Sequence, residues 1–150
     1  MAVHTEPARS LPDPPPAALL TVVVIDRDLP KGLAANAAAV LALTLGARQP
    51  ALVGRDFEDG SGAAHPGLLP VGLPILGANA ADLPAIREAA RARDLLVVDL
   101  PAEGQQTTDY DEFRAAIAAT QPDELAYLAM LVSGPKKAVR AITGQLGLLR

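Results

Sequence analysis

The stretch "VVVIDRDLPKGLAANAAAVLALTLGA", Val22 to Ala47, decides how this chain folds. Its first four residues are β-branched and apolar without alternation, the pattern of a strand buried on both faces. A knot of charge follows, Asp26, Arg27, Asp28 and Lys31, and then Gly32 to Ala47 passes without one ionisable side chain. That part reads as an Ala-rich helix over about Lys31 to Leu45, with Gly46 as its left-handed C-cap. Strand, charged turn and apolar helix in that order open an α/β unit. A helix with no charge on any face must be covered nearly all round, which predicts a second copy of the chain against it and hence a homodimer.

Working outward, residues 1–18 hold Pro7, Pro12 and Pro14-Pro15-Pro16 and read as a disordered tail, leaving 19–150 as a single α/β domain. Further strands are expected at Ala51 to Gly54, Val71 to Leu76, "LLVVD" up to Asp99, and Glu124 to Val132. Helices are expected over 80–93 with Asn79 as cap, over 109–119 with Thr107 or Thr108 as cap, and from Gly134-Pro135 to near Gly144. Strands alternating with helices imply an α/β fold, a three-layer α/β/α sandwich on a small mixed, mainly parallel sheet.

Half the residues are apolar but only 3% are aromatic, so the core must be built of small and branched aliphatic side chains. There is no cysteine, which excludes disulfides, thiolate nucleophiles and Cys-ligated metals. The net charge of −4 argues against a dedicated nucleic-acid binder, whose affinity comes mostly from neutralising phosphates. No apolar stretch reaches the roughly 20 residues of a membrane span. With no leader-like start, the expectation is a cytoplasmic protein with no membrane partner. No metal and no cofactor is expected, for the sequence has no Walker loop and no G-x-G-x-x-G after a strand.

The chemistry-bearing residues fall at strand ends and helix starts. Asp26 and Asp99 each close a buried strand, and in open α/β sheets ligands sit beyond such ends. If those strands are neighbours, two carboxylates and the Lys31 ammonium converge, with Lys31 placed to steady an oxyanion and an acid to activate water. The bland alternative is that each Asp simply caps the turn after its strand. Asn36 lies one turn past Gly32, placed either to contact a ligand or to tie down the loop carrying Asp28. In "SGPKKAV", Lys136 and Lys137 put positive charge at the positive end of a helix, a cost an anion at the Gly134-Pro135-Lys136 turn would reverse; two solvated lysines are the competing reading. His65, in "GAAHPG", is a candidate third member of the rim; solvated loop histidine is the competing reading. Ser61 and Ser133 have no His and acid arranged around them for hydrolase chemistry.

These residues carry a family resemblance. "VVVIDRDLPKGLAANAAAVLAL" resembles the first strand and helix of type-2 peptidyl-tRNA hydrolases, where a Lys-Gly pair leads into an Ala-rich helix bearing an amide. "LAMLVSGPKKAVRAITGQLGLL" is similar to that family's last strand, Gly-Pro turn and closing helix, and "VVD" at 97–99 to the strand ending in its active-site acid. The whole chain looks closer still to a bacterial family, domain of unknown function 2000. The resemblance implies a peptidyl-tRNA hydrolase II-like fold, commonly dimeric, with Lys31 and Asp99 as catalytic residues. Asn36 matches the family's helix amide, and together with the residues read above, Asp26, Asp28, Gly32, His65, Gly134, Pro135 and Lys136, it is expected to bind substrate. Two departures stand out. Leu33 occupies a position that is basic or polar in the hydrolases, and "LPAEGQQTT" with a helix bearing Tyr110 and Phe113 is inserted after Asp99.

Two main functional readings follow, beside a third, a small-molecule enzyme in which the 56–70 loop folds over the strand ends and His65 joins the rim as acid or base. One is a hydrolase of an aminoacyl or peptidyl ester, acting on tRNA or on a smaller anionic analogue. The other is a non-catalytic dimeric binding or regulatory module of the same fold.

Overall fold

The computed structural model describes residues 19–150, so the tail read over 1–18 lies outside the described residues. Strand β1 (Leu19–Asp26) runs through the middle of the molecule, with Val23 and Val24 at 0% exposure. Helix α1 (Lys31–Arg48) follows without interruption. Gly46 does not cap it. The helix runs on through it, and the Gln49 N–H closes the end on the Leu45 carbonyl at 2.8 Å. Glycine inside a helix costs about 1 kcal/mol. Burial of Leu41 and Leu45, each contributing about 1.5–3 kcal/mol, outweighs that and carries the helix past it.

Ala51 to Gly54 is not a strand. Pro50 fits the first position of a 3-10 turn over Pro50–Leu52, and Leu52 is buried under α1. A short hairpin follows, β2 (Phe57–Glu58) and β3 (Ala64–His65). Its flanks meet backbone to backbone: a Cβ on Gly67 would lie 1.9 Å from the Gly54 carbonyl oxygen, so only glycine fits there. Strand β4 (Ile75–Ala78) pairs parallel with β1. A 3-10 turn over Ala80–Asp82 then leads into α2 (Leu83–Arg91), and the Asn79 amide bonds the Asp82 carboxylate at 3.1 Å rather than capping the helix.

Strand β5 (Leu96–Pro101) leads to α3 (Tyr110–Ala119), whose cap is Asp109, accepting from the amides of Asp111 and Glu112. Neither Thr107 nor Thr108 caps it. Strand β6 (Tyr127–Pro135) and helix α4 (Lys136–Thr143) complete the elements.

The main sheet has the order β4-β1-β6-β5. It is mixed, but not mainly parallel: β1–β4 is parallel, while β1–β6 and β5–β6 are antiparallel. A parallel return from β5 would need α3 to pack its face on the sheet as a crossover. That helix buries none of its residues, so β6 comes back beside β5 in the opposite sense.

Alternate side chains of the central strands feed two apolar clusters. Val23, Ile25 and Leu131 pack against α1, and Val22, Val24, Met130 and Val132 pack against α2 and α4. Within the sheet Thr21 and Ser133 form a polar cross-strand pair, and their buried hydroxyls bond at 2.7 Å. The chain ends along the outer side of β4. Gly77 N–H donates to Gly147 O at 3.0 Å, Leu149 N–H donates to Ile75 O at 2.9 Å, and Leu148 bridges Leu76. No helix among the described residues is long and apolar enough to cross a membrane.

Candidate functional site

The charged knot after β1 is a turn. Asp26 accepts the Asp28 N–H on its carboxylate at 3.0 Å, and its carbonyl accepts from Leu29 at 3.1 Å. An aspartate that bonds the backbone two residues on closes such a turn locally. The turn delivers Lys31 to the first position of α1, with Pro30 fixing the entry. Lys31 is exposed and forms no ion pair among the described residues.

Lys31 lines a cavity of about 450 Å³ between the start of α1 and the end of the chain. Ile25, Leu29, Ala34, Ala38 and Leu149 give it apolar walls, and Arg27 and Arg150 join Lys31 as its cations. Among the described residues, no acidic side chain lines it. Arg27 also reaches the Gly77 carbonyl, at 3.5 Å.

Asp99 is elsewhere. It stands opposite Met130 on β6, which in turn stands opposite Val24 on β1, so a whole strand separates it from β1. Its carboxylate accepts from Arg87 Nε of α2 at 2.6 Å, on the sheet face away from α1. The same guanidinium bonds Glu88 at 2.8 Å and lies 5.4 Å over the Tyr127 ring. Burial acts to lower the Arg87 pKa, but the hydrogen bond and charge of Asp99 outweigh it and raise the group above its ordinary value. Burial, opposed by Arg87 and assisted by Asp99, raises the Tyr127 phenol. Asp99 is thus tied into a clamp between α2 and the sheet edge, while Lys31 faces a cavity on the α1 side. β1 and β5 are not neighbours, and the convergence expected from adjacent strands does not form.

The Gly134-Pro135-Lys136 turn is farther still. Because β6 is antiparallel to β1, Gly134 pairs with Leu20 and Pro135 with Leu19, at the start of β1. Asp26 closes the other end, roughly 23 Å away at about 3.3 Å per residue. Gly32 and Asn36 are exposed on α1; Asn36 makes no side-chain hydrogen bond among the described residues and does not line the Lys31 cavity. His65 belongs to the β2–β3 hairpin, where it bonds Asp59 at 3.2 Å and stacks on Phe57 with ring centroids 5.3 Å apart. Asp59 also accepts from the Ser61 hydroxyl at 2.5 Å and from the amides of Ser61 and Ala63. The carboxylate therefore stands between Ser61 and His65. A nucleophilic serine needs the imidazole in that middle place, so this group is a turn brace.

A second cavity, of about 560 Å³, was not anticipated. It lies along β5 between the C-terminal half of α1 and the segment from Gly104 to Phe113, with Arg48 in its lining. One signal in the sequence pointed to it. Helix α1 carries two ionisable residues, Lys31 first and Arg48 last, and each faces one of the two cavities.

The α1 helix is not covered all round. Leu33, Val40 and Leu43 are 41%, 41% and 77% exposed, and with Asn36 they form one exposed stripe along the helix, of which Val40 also borders the second cavity.

Comparison with known proteins adds family and fold. The model of a family described as protein of unknown function, DUF2000, matches residues 21–150. The chain is similar to the solved structure of a protein of unknown function, Atu0240, from Agrobacterium tumefaciens strain C58. The TM-score is 0.80 at 21% identity, covering 87% of this chain and 97% of that one. At that identity the likeness concerns the fold. No curated protein matches.

Proposed function

The chain belongs to the DUF2000 family of proteins of unknown function, and from that premise we propose that it is a binding module for a small amphiphilic anion. The ligand's acid group would sit among Lys31, Arg27 and Arg150, and its apolar body against Leu29, Ala34 and Leu149. The observation that carries this reading is the lining of the Lys31 cavity: three basic side chains, apolar walls and, among the described residues, no acidic side chain. A charge-assisted hydrogen bond from a cation to a carboxylate or phosphate is roughly twice as strong as a neutral one, and the apolar walls give the ligand's body a surface to bury.

The hydrolase reading, and with it the finer likeness to the type-2 peptidyl-tRNA hydrolase fold, draws on the segments around Lys31, Asp99 and Gly134. Ester hydrolysis by Lys31 needs a base within hydrogen-bond reach of the attacking water. Asp99, the acid that the resemblance assigns to that role, is engaged by Arg87 instead. Self-association through the Leu33–Val40–Leu43 stripe belongs to the binding-module reading, since a second copy gives that stripe its cover.

Two measurements separate the readings. In a calorimetric titration with octanoate and with phenyl phosphate, at least one should bind, and Lys31→Ala should weaken it about tenfold, the loss of one charge-assisted contact. Peptidyl-tRNA incubated with wild type and with Lys31→Ala should stay intact in both. Lys31-dependent release of the peptide would overturn the binding reading.

A further inference from the structure

We infer that the outer edge of β5 is a peptide-docking groove, taking an extended peptide as an added strand with one of its carboxylates seated on Arg48. The inference does not rest on the Lys31 reading, because the two cavities share no lining residue.

The geometry begins with the strand itself. β5 pairs with β6 alone, and among the described residues nothing else bonds the main chain of Leu96 to Leu100. A strand edge left this way presents a row of free N–H and C=O groups. Each of Leu96, Val97, Val98, Asp99 and Leu100 lines the cavity. Successive side chains of a strand point to opposite faces, so a cavity touched by all five follows the edge rather than either face. The free main-chain row is therefore the floor of the groove.

The walls suit an extended chain. Helix α1 forms one side and ends in Arg48, a guanidinium with no ion-pair partner among the described residues. The other side carries Tyr110 and Phe113, whose rings meet 5.9 Å apart, with Tyr110 74% exposed. Strand addition draws affinity from main-chain hydrogen bonds and specificity from pockets for alternate side chains. Here the aromatic pair is the apolar pocket and Arg48 is the anchor for a carboxylate, from an acidic side chain or from a C-terminus. A compact ligand would leave most of the main-chain row unpaired. Helix α3 buries none of its residues in the free protein, so Phe113 gains cover when the groove fills.

The test is to pan a library of random ten-residue peptides, displayed on phage, against the full chain and to synthesise the enriched sequences. Enriched peptides should alternate apolar residues and carry a carboxylate. Arg48→Ala should raise the Kd of such a peptide about tenfold or more, with Arg48→Lys recovering part of it. N-methylation of alternate peptide amides, which leaves the protein untouched, should abolish binding. Amidating the peptide's C-terminus separates the two carboxylate sources: loss assigns the terminus to Arg48, retention the side chain. Failure to enrich any peptide above a protein-free control would overturn the inference. So would binding that survives both Arg48→Ala and N-methylation.

Discussion

The two edges of the main sheet are treated in opposite ways. Along β4 the chain's last residues lie down as a partial extra strand, with Gly147, Leu148 and Leu149 pairing to Ile75, Leu76 and Gly77. Along the outer edge of β5 none of the described residues pairs, and that edge lies in a groove between α1 and α3. Exposed edges invite pairing with other chains, so proteins seal or cover them. Sealing one edge here also shapes a cavity, because Leu149 and Arg150 become walls of the one that Lys31 lines. Leaving the other open builds a different one. A single helix serves both, with one cation at each end.

The largest effect is expected from unsealing β4. Leu149→Asp puts a charge among Ile75, Leu29 and the other apolar side chains of that cluster. It should cost about 2 kcal/mol or more in stability, read as a lower Tm, and should abolish anion binding at the Lys31 cavity. An unchanged Tm would show that the tail is no part of the seal.

Next comes the tether that holds β5 from its far side. Arg87→Ala leaves Asp99, 26% exposed, without its partner, and should cost about 1–2 kcal/mol in urea denaturation. Replacing the pair by Arg87→Met with Asp99→Leu should recover most of that, as apolar replacement of a half-buried pair commonly does. If the double variant is no better than the single, the clamp is more than a charge pair.

A smaller change tests the face of α1 between the two cavities. Leu43→Glu should leave stability within about 0.5 kcal/mol, as for surface substitutions generally, but shift the mass in sedimentation from two chains to one. A wild-type mass of one chain at micromolar concentration contradicts self-association through that stripe.

The hairpin belongs to neither edge and serves as the control. Hydrogen bonds from Ser61, first its hydroxyl, then from His65 and the backbone, hold the Asp59 carboxyl well below the usual carboxylate range. A depressed carboxylate pKa contributes order above its unfolded value and loses it as pH falls through the folded value. Hairpin order should therefore persist through the ordinary carboxylate range on acidification. Asp59→Ala should speed exchange of the Ser61 and Ala63 amides while leaving both edges unchanged. A Tm shift comparable to that of Leu149→Asp would contradict this local role.

Much of the fold was legible because its strands are long apolar runs. β1 and the core of β6 could not be satisfied anywhere but the interior. The site was less legible, for a physical reason that Gly134 and Lys136 illustrate. Hydrophobic pattern marks a strand but not its direction, and the sense of β6 decides which end of the sheet its turn occupies. Asp99 shows the same limit, since its partner Arg87 is set by how α2 crosses the sheet rather than by spacing. In α1 the absence of charge suggested cover on every side, yet composition does not say which apolar residues meet the sheet, and Leu43 does not. Arg48, which the expected stop at Gly46 left outside the helix, is the charge that ends α1 and lines the second cavity.

The most direct test of this separation is an NMR titration of the full chain with octanoate and with phenyl phosphate, followed at the backbone amides. The account predicts that the anion that binds shifts the amides of Lys31, Ile75 and Leu149, at the sealed edge, while Leu96 to Leu100 stay still. Shifts at Asp99 together with Lys31, or shifts at β5 alone, would contradict it.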